Sequence, residues 1–275
     1  MIKPRMSIDM SQELAGRIRV HALQMTSHAN ASHIGSGFSM ADILAVLYGQ
    51  VLRIAPQNPE WNERDRFILS KGHGAAILYA ILAESGFFPV DWLLRYADDH
   101  QPLAGHVVKA GVPGIELATG SLGHGLPVAL GMAIACQADA LRSRVYALLS
   151  DGELDEGSNW EAILLAGHLK CANLTAIVDA NAIQSFGRVS DVLELEPLAD
   201  KWRAFGWAVT EVDGHDHAAL VSALLKSNQS KPGVVLARTV KGKGVSFMED
   251  KLEWHYRSAR EENLQKALAE LGAGS

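Results

Sequence analysis

Asp151 and Asn181 lie thirty positions apart, and their chemistry and surroundings suit them to hold a cation. Asp151 follows the apolar run "RVYALLS", Asn181 ends the run "NLTAIVDAN", and the helical pattern "NWEAILLAGHL" lies between them. A strand, a crossover helix and a parallel strand bring the two strand ends side by side. One carboxylate and one amide oxygen there make a hard-oxygen site of the kind Mg²⁺ takes, the rest of its octahedron being filled by phosphate oxygens and water. Gly152, next in line, lets a phosphate approach the backbone closely. The pair is only moderately specific, because Asp and Asn also end strands for turn reasons. Asp151 also heads a cluster with Glu153, Asp155 and Glu156, four carboxylates in six positions, which a solvated turn could equally carry.

Histidine is the second chemical resource. Of eleven, His33, His73, His106, His124 and His255 fall in loops or at element ends, several flanked by glycine. Imidazoles there can bind diphosphate oxygens and sugar hydroxyls and move protons near neutral pH. His21, His28, His100 and His217 read as ordinary surface or satisfied core residues. No histidine pair has a short zinc-ligand spacing. "TGSLGHG" does not match the dinucleotide Gly-x-Gly-x-x-Gly fingerprint, and "KGKG" lacks the spacing of a phosphate-binding loop. No nucleophile elbow is present.

The elements that must position these groups alternate along the chain. Helical periodicity runs from Asp9 to about Ala29, with Leu14, Ile18, His21 and Met25 on one face. After the Gly/Ser-rich interruption "NASHIGSGFS", Ser39 reads as the N-cap of a helix over "MADILAVLYGQVL", with Asp42 three positions on. "DRFILS" is a short strand ending at "KGHG", and "AAILYAILAES" is a helix stopped by Gly86. Residues 105–125 are irregular and glycine-rich and open into the helix "LPVALGMAIACQADALR". Strands "RVYALLS", "NLTAIVDAN", "WAVTEVD" and "GVVLARTV" then alternate with helices "NWEAILLAGHL", "LADKWRAFG" and "HAALVSALLKSN", and "EENLQKALAELGA" is the last helix. Near-continuous apolar strands between amphipathic helices predict an α/β fold, a mostly parallel sheet with helices on both faces. Ligands of such sheets bind beyond the carboxyl ends of the strands, so "SKGHG", "SDGELDEG", "DANAIQSFG", "DGHDH" and "VKGKG" should meet on one edge.

Composition excludes other classes. The chain of 275 residues is 48% hydrophobic and 20% charged, ordinary for a globular protein, and its net charge of −6 comes with no basic block for nucleic acid. No apolar run approaches the ~20 residues of a membrane span, and the first residues lack a signal peptide's apolar core. Cys136 and Cys171 read as reduced structural thiols, which implies a cytoplasmic setting.

The stretch "SDGELDEGSNWEAILLAGHLKCANLTAIVDANAI" resembles the thiamine diphosphate fingerprint, in which Gly-Asp-Gly is followed about thirty residues later by Asn. Its "EG" and "AGHLK" resemble the transketolase version. "SHIGSGFSMADILAVLY", "DRFILSKGHGAAILYAIL" and "PGIELATGSLGHGLPVALGMAIA" resemble successive transketolase blocks in the same order, so the likeness spans about residues 9–256.

The resemblance implies the thiamine diphosphate-binding fold, with residues 1–275 as one diphosphate-binding domain carrying a helical N-terminal extension. It implies Mg²⁺, or another divalent cation such as Ca²⁺ or Mn²⁺, on Asp151, Asn181 and the carbonyl of Ile183. Gly152, His73 and His255 would contact the diphosphate, and Gly120 and Leu122 would lie along the cofactor. His33, His73, His106 and His255 would line the funnel where sugars or sugar phosphates react. Glu156 would sit at a subunit interface, while Glu153 and Asp155 keep the reading of a solvated turn.

Three departures stand out. Ser150 replaces the first glycine of Gly-Asp-Gly, His124 stands where many transketolases have Gln, and "QSFG" after Ile183 is less apolar than the family's segment. The family's pyrimidine-binding domain, with its glutamate, and its further C-terminal domain have no counterpart in these residues. The expected protein is therefore the N-terminal subunit of a split transketolase. It would join a separate C-terminal transketolase subunit in an α₂β₂ heterotetramer and carry a two-carbon ketol unit from a ketose to an aldose. The alternatives are a subunit of another thiamine enzyme, 1-deoxyxylulose-phosphate synthase-like or 2-oxoacid dehydrogenase α-like, or a non-catalytic regulatory subunit of the same fold.

Overall fold

The computed structural model describes residues 3–226 and 230–273. Its chain order begins with helices α1 (Ile8–His28), α2 (Ile34–Ser39) and α3 (Ala41–Val46), the last running into a π turn at Leu47–Val51. Strand β1 (Arg66–Leu69), α4 (Ala75–Glu84), α5 (Gly125–Ala138), β2 (Val145–Ser150), α6 (Gly157–His168) and β3 (Leu174–Ala180) follow. The hairpin β4 (Ile183–Gln184) and β5 (Gly187–Arg188) leads to α7 (Val189–Val192) and α8 (Leu198–Ala204). Then come β6 (Ala208–Asp213), α9 (His217–Leu225), β7 (Gly233–Arg238) and α10 (Glu261–Glu270).

Five strands form one sheet in the order β1-β2-β3-β7-β6, every neighbouring pair parallel. Side chains alternate between its faces, and each face has its own core. Tyr146, Leu148, Ile177 and Val235 pack with α1, α3, α4 and α9, whereas Val145, Ala147, Leu149, Ala176 and Leu236 pack with α5, α6 and α8. That double burial is why the strands read as continuous apolar runs rather than alternating ones. The expected helices on both faces are present.

Boundaries differ from expectation where long-range packing outweighs local signals. Helix α1 starts at Ile8 rather than Asp9, capped by Ser7, whose hydroxyl accepts from the Met10 amide. The Gly/Ser-rich interruption contains α2, all six of whose residues are buried against the core. Ser39 caps nothing: its hydroxyl donates to Asp179, and Asp42 serves Arg19 rather than a capping box. The helix expected over 217–228 is described as far as Leu225, and its end at 227–228 lies outside the described residues. Among the described residues no helix is long and apolar enough to cross a membrane. Cys136 and Cys171 are both buried and form no disulfide.

Candidate active site

All five strands point their carboxyl ends at one edge, where the polar loops gather as expected. Register pairs Ser150 with Asp179, so Asp151 and Asn181 leave adjacent strands. One cleft there is lined by Ser36, His73, Leu122, Ser150, Asp151, Gly152, Asn181, Ile183, Gln184, Ser185, Lys241 and His255.

Asp151 is 5% exposed; its carboxylate accepts from the amides of Gly152 at 2.8 Å and Ala182 at 2.6 Å. Among the described residues no cationic side chain forms an ion pair with it, Lys71 pairing with Asp179 instead. Burial, reinforced by the nearby Asp179 carboxylate, pushes it up to about 6. Asn181 is buried and its Oδ1 accepts from the Ile183 amide at 3.2 Å, leaving a second lone pair. The Ile183 carbonyl, expected to face a metal, accepts the Lys241 ammonium at 3.0 Å, so a cation would have to take that ammonium's place. Among the described residues no three His, Cys, Asp or Glu side chains converge as a metal site. A buried carboxylate without a countercharge, an amide oxygen and a backbone carbonyl nonetheless fit a hard divalent cation bridged to phosphate. Gly152 fits the same reading, since a Cβ there would stand 2.6 Å from the Gln184 Cβ.

Above these groups stands a cluster of imidazoles. His33 lies 5.0 Å from His73, 6.1 Å from His106 and 4.9 Å from His255 between ring centroids. The cluster is held through backbone: the His33 amide donates to the His255 carbonyl, and the Tyr79 hydroxyl donates to that of His106. His33 adopts φ +75, a left-handed conformation that costs a non-glycine residue on the order of 1 kcal/mol and that packing must sustain. Its Nδ1 is buried and unpartnered. Burial, then the neighbouring His106, Lys241 and Lys71, lowers His33 to about 4, and burial and Lys241 lower His255 to about 3. His73 is also held well below its ordinary value, chiefly by burial. All three are neutral at pH 7; His33 and His73 can accept a hydrogen bond or a proton, whereas His255, whose Nδ1 already accepts from Lys241, has its Nε2–H to donate. Gly120 lies against His106, 3.2 Å from its ring as measured from the position of a Cβ. His124 is exposed, hydrogen-bonded to the Leu122 carbonyl, and takes no part in the cluster. Glu156 is exposed at the start of α6.

Three functional-looking residues escape the sequence reading. Lys241 is 1% exposed, donates to His255 Nδ1 at 2.9 Å and is lowered to about 8 by burial and by Lys71. Lys71 is fully buried and ion-paired to Asp179, which also accepts from Ser39 and Thr239. Both lysines open strand-end loops, "KGHG" and "KGKG", and that position is their only sequence signal. The third is Glu153. It is 0% exposed and accepts from Ser70 Oγ, from the Gly123 amide at 3.0 Å and from the Ser150 amide at 3.3 Å, so the solvated-turn reading is wrong for it. The spacing Ser150-x-x-Glu153 is that of a capping box, a signal the sequence does carry. Asp155 is only half-buried, but it too is engaged, accepting from Gln184 Nε2 at 2.9 Å.

A family model described as the transketolase thiamine diphosphate-binding domain matches residues 10–274. A 6-deoxy-6-sulfo-D-fructose transketolase subunit from a Clostridium species is 43% identical over 262 residues, covering 94% of this chain and 95% of its own. An apulose-4-phosphate transketolase subunit from Actinobacillus succinogenes is 43% identical over 268 residues, covering 97% of each chain. The crystal structure of transketolase from Campylobacter jejuni superposes with a TM-score of 0.91 at 34% identity, covering 98% of this chain and 44% of that one.

Proposed function

The chain belongs to the transketolase family, as its thiamine diphosphate-binding domain, and on that premise we propose that it is one subunit of a two-chain transketolase. The whole of residues 1–275 would be that one domain. The reaction is transfer of a two-carbon ketol unit from a ketose, phosphorylated in our reading, to an aldose. Its partner would be a C-terminal subunit supplying the pyrimidine-binding domain and its glutamate, in an α₂β₂ heterotetramer. Glu156, exposed beside the cleft, would lie at an interface of that assembly. A cytoplasmic location fits the two buried cysteines.

One observation carries the reading: Asp151, Gly152, Asn181, Lys241 and the imidazoles of His73 and His255 line a single cleft at the carboxyl edge of a parallel sheet. Asp151, Asn181 and the Ile183 carbonyl would hold Mg²⁺, and Gly152, His73, His255 and Lys241 would receive the diphosphate, with Gly120 and Leu122 alongside. Bound thiamine diphosphate supplies the carbanion-stabilising centre, and the protein supplies position and electrostatics. His33 and His106, with the other two imidazoles, would bind sugar hydroxyls and hold or pass protons.

Titration of the co-purified two-chain complex with thiamine diphosphate, with and without Mg²⁺ and followed by tryptophan fluorescence, tests the cofactor. Tight binding only with the metal is expected. Ketol transfer by the same complex tests the activity, and absence of Mg²⁺-dependent binding overturns the reading.

A further inference from the structure

The Glu153 carboxylate meets donors from three segments: the end of β2, the loop after β1 and the loop before α5. The Ser150 amide donates to one oxygen, while Ser70 Oγ and the Gly123 amide donate to the other. The return half of the capping box is also made, since the Glu153 amide donates to Ser150 Oγ at 3.2 Å. Its carbonyl is in turn held by Asn159 Nδ2 at 2.7 Å. Each donor stands close to a residue of the cleft: Ser150 precedes Asp151, Gly123 follows Leu122, and Ser70 lies three positions before His73.

The surroundings leave no slack at this point. A Cβ on Gly125 would overlap Ser70 Oγ, and one on Gly123, at φ +81, would stand 2.6 Å from the Glu156 Cβ. The three segments close on one another around a single carboxyl group shielded from water, which burial pushes up in pKa against the pull of the Ser70, Gly123 and Ser150 donors. Losing the acceptor leaves three buried donors without a partner.

We propose that Glu153 is the positioning residue of the cofactor cleft, fixing the loops of His73, Leu122 and Asp151 relative to one another. This rests on the thiamine diphosphate reading. Ser150 belongs to the device, because its hydroxyl supplies the return bond that a glycine in its place could not.

Glu153→Gln keeps the shape but turns one acceptor into a donor facing donors. In the two-chain complex its thiamine diphosphate Kd and cofactor KM should rise ~10-fold or more, with kcat at saturating cofactor within ~3-fold of wild type. In the cofactor-free complex, hydrogen exchange at the Gly123 amide should speed up ~10-fold. A purely structural Glu153 would lower the melting temperature and leave cofactor KM unmoved. A folded Glu153→Gln complex with unchanged cofactor Kd and unchanged Gly123 exchange overturns the proposal. Should that variant not fold, Ser70→Ala removes one donor only and should raise cofactor Kd ~3-fold or more; an unchanged Kd there also overturns it. If wild type itself shows no Mg²⁺-dependent binding, the cofactor reading has failed, and exchange at Gly123 in Glu153→Gln still decides whether the clamp exists.

Discussion

Two buried polar clusters occupy the same end of the sheet, and they are built in opposite ways. Around Asp42, both carboxylate oxygens are doubly engaged. Oδ1 accepts from Arg19 and His217, and Oδ2 accepts from Arg19 at 2.6 Å and His215 at 2.7 Å. Behind them Gln50 and Ser11 complete the set, and His215 Nε2 accepts the Val240 amide. Burial alone would raise Asp42, but the hydrogen bonds from His215 and His217 and the Arg19 charge outweigh it and hold the carboxyl far below its usual range. Around Asp151 the balance is reversed: the carboxylate has only two amide donors, burial wins, and the group rises to about 6. Nearby, His33 Nδ1 has no partner at all. In the Asp42 cluster one atom, Arg19 Nε, is left without a partner, but the carboxylate itself is fully engaged and has nothing left to offer a cation. A cluster left short of positive charge and hydrogen bonds is poised to receive one.

The contrast is broken most directly at Asp42. Asp42→Asn leaves the Arg19 charge buried without its partner, a change worth about 3–5 kcal/mol. The melting temperature should fall by ~10 °C, read by calorimetry, while cofactor affinity per folded molecule changes less than ~3-fold. A large loss of cofactor affinity instead would mean that the network reaches the cleft, through His215 and the Val240 amide beside Lys241. At Asp151 the dissociation should run the other way. Asp151→Ala should weaken Mg²⁺-dependent thiamine diphosphate binding by more than ~100-fold. The melting temperature of the unliganded protein should move only ~5 °C or less. Unchanged cofactor affinity would remove Asp151 from the metal site.

How much of this is legible in the sequence follows the same division. Asp151 and Asn181 are legible because strand ends are local: an apolar run stops, a polar residue follows, and parallel topology does the rest. His33, His73, His106 and His255 are legible as imidazoles in loops or at element ends, but that signal also selects His124, which lies between two glycines and stays exposed outside the cluster. Glu153 is legible only as the capping-box partner of Ser150; its burial is not, since that depends on Ser70 and Gly123, distant in sequence, and charge clusters usually face water. Lys71 and Lys241 escape for a related reason: a fully buried lysine is rare, and Asp179 and the Ser36 carbonyl make Lys71 tolerable as His255 and the Ile183 carbonyl do Lys241. Helix α2 is hidden by the poor propensity of its glycines and serines, which complete burial of all six residues overrides. The Asp42 network draws in Arg19, His215 and His217 from elements far apart in the chain, and only the folded arrangement reveals it.

The smallest expected effect tests the Asp151 cluster by pH. His33, at about 4, binds fewer protons when folded than an unfolded histidine near 6.5 does. Between those values the unfolded state takes up more protons, so this contribution to stability is complete above about 6.5 and is lost as pH falls towards 4. Asp151 has the opposite sign: raised to about 6, it binds more protons when folded, and its contribution grows as pH falls from 6 towards 4. The net slope therefore mixes opposing groups, and the informative quantity is a difference between variants. His33→Asn removes one acid-sensitive imidazole and should retain more of its pH 7 melting temperature at pH 5 than wild type, by ~3 °C once partial solvent screening is allowed for. Asp151→Asn should retain less, because the compensating proton uptake is gone. Equal acid sensitivity in the His33 variant and in wild type would show that His33 is not held neutral. It would then lose its proposed place as a proton and hydroxyl acceptor.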